Sequence, residues 1–129
     1  MTFPARTRLI DRYIAAYNAF DIEGMLAVLA PGIVFENFSG GQVTASSSGI
    51  EAFRELAEQS KSFFSEREQR VIHLQEVQDR VVARISYQGR LAVDIPDGPQ
   101  AGTLIELQGE SEFGFSPGDD RIASIVDRS

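Results

Sequence analysis

Apolar residues recur at three- and four-residue steps from Leu9 through Tyr13, Ala16, Tyr17 and Phe20, which puts two tyrosines on one face of a helix. Pro4 suits the first turn, because its fixed φ and missing N–H cost nothing there, so the helix is predicted from about residue 4 to about residue 20. Asp21 offers a cap to a second helix and Glu23 places a negative charge in its first turn; Pro31 and Gly32 end it, giving residues 22–29. Ile33, Phe35 and Asn37 then share one face of a strand, so an amide closes an apolar row. The Ser39-Gly40-Gly41 turn leads to a short partner strand at 42–45. Ser48 and Glu51 form a capping box for a third helix, whose apolar stripe of Ile50, Phe53, Leu56, Ala57 and Phe63/Phe64 marks a helix reaching about residue 62.

From about residue 68 the period changes from helical spacing to two. Four long strands are predicted at 69–77, 80–93, 103–115 and 121–127, joined by turns at 78–79, 96–99 and 116–120 into a meander. On the third of these, Thr103, Ile105, Leu107, Gly109, Ser111, Phe113 and Phe115 share a face, while Leu104, Glu106, Gln108, Glu110 and Glu112 share the other. Only the first face can be interior. Val81, Ala83, Ile85 and Tyr87 point inward on the strand before it by the same parity. The last strand is ambiguous, since Ile122, Ser124 and Val126 compete with Ala123, Ile125 and Asp127. No repeat, low-complexity block or linker divides the chain, so residues 1–129 are expected to form one α+β domain.

Charge narrows the partners. Twelve Lys and Arg against nineteen Asp and Glu give a net charge of −7, which argues against a nucleic-acid partner, because phosphate binding needs a basic surface. Without cysteine there is neither a disulfide framework nor a thiolate metal site, and with a single histidine, His73, no metal is expected. His73 alternates with Ile72 and Leu74 and is read as outward. Glu106, Glu110 and Glu112 read as a wet sheet face opposite Arg84 and Arg90 of the neighbouring strand. The absence of a glycine-rich phosphate loop leaves no organic cofactor implied. No apolar run approaches the roughly 20 residues that span a bilayer, so a cytoplasmic protein with no membrane partner is expected.

The order helix, helix, strand pair, helix, four strands, together with the YxxAYNAxDxxGMLAxLAP run at 13–31, the AFRE segment at 52–55 and Tyr87-Gln88-Gly89-Arg90, resembles the nuclear transport factor 2-like superfamily, nearest its SnoaL-like and ketosteroid isomerase-like branches. The resemblance covers nearly the whole chain. It implies a cone-shaped α+β barrel, with three N-terminal helices on a strongly curved, mostly antiparallel sheet around an apolar pocket, often in a homodimer. Ketosteroid isomerase uses an aspartate base with a tyrosine and a protonated aspartic acid as its oxyanion hole. By resemblance Tyr13 falls at the tyrosine position, Asn37 at the base position and Ser111 at the partner-acid position. An amide cannot take a proton from carbon at neutral pH, which argues against steroid isomerisation by that route.

Registering the last strand on the same superfamily turns Ala123, Ile125 and Asp127 toward the pocket, making Asp127 the inward carboxylate. Burial there raises its pKa toward neutrality, the usual route to a general acid or base. The leading reading is an acid/base enzyme for a small apolar organic ligand, cyclic or polyketide-like, performing isomerisation, cyclisation, hydration or hydrolysis. Asp127, Tyr13 and Asn37 are its candidate catalytic residues, with Asp127 the acid/base. Tyr13 and Asn37, with Ser111, would orient an oxygen, and Tyr17, Phe35, Tyr87 and Phe113 would wall the ligand. Two other readings stay open: a non-catalytic binder with the same pocket, and a protein-interaction module with a filled interior. Each residue also has a plainer role available: core packing for the tyrosines, turn bonding for Asn37, and pairing with Arg121 or Arg128 for an Asp127 near a frayed end.

Overall fold

Thr2 opens the first helix by accepting the Ala5 N–H on its hydroxyl at 3.2 Å, with Pro4 in the first turn. In the computed structural model, which describes residues 1–118 and 120–129, the elements follow as α1 (Phe3–Asn18), α2 (Ile22–Leu26), β1 (Leu29–Ser39), β2 (Gln42–Ser48), α3 (Ile50–Lys61), β3 (Phe64–Val77), β4 (Arg80–Leu91), β5 (Leu104–Phe115) and β6 (Ile122–Arg128). Asp119, in the turn expected at 116–120, lies outside the described residues. The six strands form one mixed sheet in the order β2-β1-β6-β5-β4-β3, in which only β1 and β6 run parallel. β2 and β3 are its two edges, so the sheet is open and the barrel implied by resemblance is not closed.

The motif between the first two helices is structural. Asn18 donates to the Gln69 carbonyl at 3.0 Å and accepts the Gln69 N–H at 2.7 Å, tying the end of α1 to β3. Phe20 turns the chain at φ 58°, and Asp21 then caps α2 by accepting the Gly24 N–H at 2.9 Å. A Cβ at Gly24 would collide with that same carboxylate, so the spacing of Asp21 and Gly24 is a packing requirement.

Three sequence expectations change. α2 ends at Leu26 rather than 29, and Pro31 and Gly32 lie inside β1 instead of stopping a helix. β1 registers with β6 at Leu29 and again from Val34, and with β2 only from Val34, so proline sits where no ladder partner is needed. Ser48 does not cap α3; it pairs with Val34 as the last residue of β2, and Gly49, at φ 90°, takes the cap position without a side-chain bond. β3 begins at Phe64, five residues before the expected start, which brings Arg67 into the sheet opposite Gly89.

Two bulges set which residues face inward. On β6, Ser124 opposes Gly114 and Ile122 opposes Phe115, leaving Ala123 as an extra residue. The parity flips there, which lets both Ile122 and Ile125 be fully buried, so Ala123 is not the inward residue. On β3, Val71 opposes Ile85 and His73 opposes Arg84, so Ile72 is the extra residue and is exposed with His73. The helices pack on the inner face, with α1 against β3 and α3 against β1 and β2. Ile10, Leu29, Ile33, Val81, Phe113 and Ile125 form the closed part of the core. Full burial of each large apolar side chain is worth roughly 1.5–3 kcal/mol.

On the outer face Glu112 pairs with Arg80 at 3.1 Å and Arg128 at 3.4 Å, and Glu110 with Arg128 at 3.9 Å. Arg84 stands opposite Glu110 in the β4–β5 register, as expected, whereas Arg90 stands opposite Leu104, pairs with Glu66 at 3.8 Å and donates to the Gly102 carbonyl at 2.9 Å. Among the described residues no helix is long and apolar enough to cross a membrane.

Candidate active site

Between the helices and the inner sheet face lies a cavity of about 510 Å³. Its rim includes the exposed Ser39, Thr44, Leu107 and Ser129; its interior includes Tyr13, Phe53, Ile85 and Ser111. Strand register builds the polar part of its wall. Asn37 on β1 lies opposite Asp127 on β6, and Asp127 opposite Ser111 on β5, so three polar side chains cross the sheet in one row. Ser111, a residue 5% exposed, donates its hydroxyl to Asp127 Oδ1 at 2.6 Å. Asn37 lines the cavity but gives its Nδ2 to Thr44 Oγ1 at 2.7 Å, a bond across its own hairpin.

Asp127 pairs with neither Arg121, which donates to the Leu29 carbonyl, nor Arg128, which serves Glu110 and Glu112. Its strand end is held: Ser129 donates its N–H to the Phe38 carbonyl at 3.0 Å, and Gly40 donates to the Ser129 carbonyl at 3.2 Å. Gly109 is needed there because a Cβ would run into the Arg128 carbonyl. Burial raises the Asp127 carboxyl from 3.8 to about 6, against a smaller lowering by the Ser111 bond. A carboxyl half-ionised near that pH can both give and take a proton in a neutral medium.

Tyr13 is 4% exposed and rests between Phe53 and Phe113, with ring centroids 6.5 and 6.1 Å away. Its phenol lies in the cavity wall, and no described residue exchanges a hydrogen bond with it. Burial, reinforced by the Asp127 charge, raises its pKa well above the ordinary tyrosine value, so it is a neutral donor. Phe35 lines the cavity and meets Phe53 edge-on at 5.7 Å. Phe113, expected as a wall residue, is fully buried behind Tyr13 and does not line the cavity. Its parity is inward, but the phenol in front of it takes the surface.

The far end of the cavity holds a group that strand reading missed. Tyr17 donates to the Tyr87 hydroxyl at 3.1 Å, and burial raises the pKa of both phenols. Arg67 lies over the Tyr17 ring at 3.7 Å and the Phe20 ring at 4.5 Å, with its Nε donating to the Tyr17 carbonyl at 3.0 Å. It is 6% exposed and lines the cavity. The signal was present: Arg67, Gln69 and Val71 alternate in phase with the inner face, but the charged Ser65-Glu66-Arg67-Glu68 run hid the start of the strand.

A family model for the SnoaL-like domain matches residues 10–125. The chain belongs to this family. The SnoaL-like chain is similar in fold to a candidate polyketide cyclase from Xanthomonas campestris pv. campestris, at 23% identity over 98% of this chain and 90% of that one, with a TM-score of 0.80. TsrD from Streptomyces laurentii superposes with a TM-score of 0.79 at 23% identity, covering 98% of this chain and 89% of that one. A protein with a ketosteroid isomerase-like fold from Catenulispora acidiphila DSM 44928, in complex with trimethylamine, gives a TM-score of 0.73 at 13% identity over 92% and 82%. No curated protein matches the sequence. These likenesses place the SnoaL-like chain in the nuclear transport factor 2-like superfamily and establish its fold alone.

Proposed function

We propose that the chain is a cofactor-independent acid/base catalyst, a single domain whose sheet and helices form a cone around a small, largely apolar organic molecule. The observation that carries this reading is the Asp127 carboxyl: it lines a cavity, is bonded to Ser111, and is raised to about 6 by burial. Asn37 stands where the resemblance puts a base, and Asp127 lies directly opposite it on the next strand, so the carboxylate comes from the neighbouring position in the row. Asp127 would take a proton from the carbon beside a ligand carbonyl and return it at a second position, the bond-forming or bond-shifting step of an isomerase or cyclase. Tyr13, neutral and without a protein partner, would donate to the carbonyl oxygen as negative charge develops there. Ser111 would hold the carboxylate in place, and Tyr17, Phe35 and Tyr87 would exclude water.

The Asn37 amide is engaged by Thr44, so its part is to shape the wall next to Asp127. The likeness to a candidate polyketide cyclase is consistent with a polyketide-like substrate. The cavity supports a ligand-binding reading over an interaction module with a filled interior.

The test is deuterium wash-in at the acidic carbons of bicyclic ketones and β-keto esters in D2O, followed by mass spectrometry. The chain should accelerate exchange, and Asp127→Asn should lose that acceleration while still binding the same compounds. Binding without exchange by the unaltered chain would instead make it a carrier.

A further inference from the structure

From the geometry at Arg67 we infer that the cavity's ligand is an organic acid: an apolar body carrying a carboxylate that seats on this guanidinium, at the end of the cavity opposite Asp127. The inference rests on the cavity being a ligand site, and it adds the ligand's chemical class and orientation.

Arg67 is a buried cation without a counter-ion. Its Nε is satisfied by the Tyr17 carbonyl and its faces are covered by Tyr17 and Phe20, but no described carboxylate pairs with it, and Nη2 is sealed from solvent with no hydrogen-bond partner. Taking a guanidinium out of water costs several kcal/mol unless its protons are matched. Stacking on two rings recovers part of that cost, and the part of the guanidinium that reaches the cavity is left for an anionic oxygen acceptor such as a carboxylate. Among the described cavity residues the other cation is Arg128, which is exposed at the rim and already engaged by Glu110 and Glu112.

Asp127 does not serve as the missing partner. It lies on β6, three strands from β3, a separation of roughly 14 Å at ordinary strand spacing. The causes acting on its carboxyl are burial and Ser111, whereas Tyr13 and Tyr17, between the two ends, feel both Asp127 and Arg67. A ligand anchored by its carboxylate at Arg67 therefore extends past the tyrosines and presents its far end to Asp127. The anchor also keeps the ligand's own charge away from the catalytic carboxyl.

The experiment compares 2-naphthoate with its neutral counterpart 2-naphthamide by calorimetric titration of the intact chain at pH 7.5. The acid should bind about 10- to 100-fold more tightly, the range for one charge-assisted pair. Arg67→Met should bring the two ligands to equal affinity, Arg67→Lys should keep part of the preference, and Asp127→Asn should not reduce it. Equal binding of acid and amide by the unaltered chain overturns the inference, as does a preference that survives Arg67→Met, or no binding of either at millimolar concentration. Should Arg67→Met fail to fold by circular dichroism, the acid-to-amide ratio of the unaltered chain and its fall with added salt decide the matter. Loss of the acid preference would leave the exchange chemistry assigned to Asp127 standing, and a failed exchange assay would leave this ratio untouched.

Discussion

The two ends of the cavity solve opposite electrostatic problems. At the β1–β6–β5 end a carboxyl is held in the cavity wall, partly buried with one hydroxyl donor, and its pKa rises to about 6. At the β3 end a guanidinium is buried on two aromatic faces and, having no neutral form within reach, must stay charged. The first group responds to burial by moving its proton equilibrium, which makes it suited to chemistry. The second can respond only by attracting an acceptor, which makes it suited to holding. Burial of a charged side chain thus has different consequences according to whether the group can shed its charge.

Asp127→Asn should break the contrast most completely, lowering turnover by about 10²- to 10⁴-fold, the usual weight of a general acid or base, with ligand affinity retained. The same substitution should act on stability in a pH-dependent way. Because the folded pKa of about 6 lies above the ordinary 3.8, the native state is favoured while the carboxyl is protonated, and this advantage is lost as pH rises through 6. Asp127→Asn should therefore stabilise the chain by up to about 3 kcal/mol at pH 8 and far less at pH 4, as read from urea unfolding midpoints. Asn18→Ala should loosen the other end, removing both bonds to the Gln69 backbone beside Arg67 at a cost of about 1–3 kcal/mol, measured by thermal unfolding. It should leave the pH response of Asp127 where it was. Ser111→Ala should have the smallest effect: it removes the one bond that lowers the Asp127 pKa, so the pH profile of exchange should move upward, by about one pH unit or less.

Much of the holding framework was legible in the sequence, and the two ends of the cavity were legible to different degrees. The alternation through Val81, Ala83 and Ile85 gave the inner face of β4 directly, since nothing interrupts its pairing with β5. The end of β6 was not legible from pattern, because the extra residue at Ala123 shifts the phase between Ile122 and Ile125; superfamily register was needed to turn Asp127 inward. Arg67 was missed for a different reason: its strand starts inside a charged run whose outer face carries Glu66 and Glu68, and hydropathy cannot separate a buried arginine from exposed ones. Pro31-Gly32 and Ser48 misled because both are local punctuation signals, and their meaning was set by strand partners distant in sequence.

The most direct test of the account follows the Asp127 carboxyl itself, by carbon-detected NMR with aspartate labelled at the side-chain carboxyl and the resonance assigned from its absence in Asp127→Asn. The expected titration midpoint lies near pH 6, well above the ordinary carboxyl value of 3.8. A midpoint at or below pH 4 would mean a solvated carboxylate, and would remove Asp127 as the acid/base of this cavity.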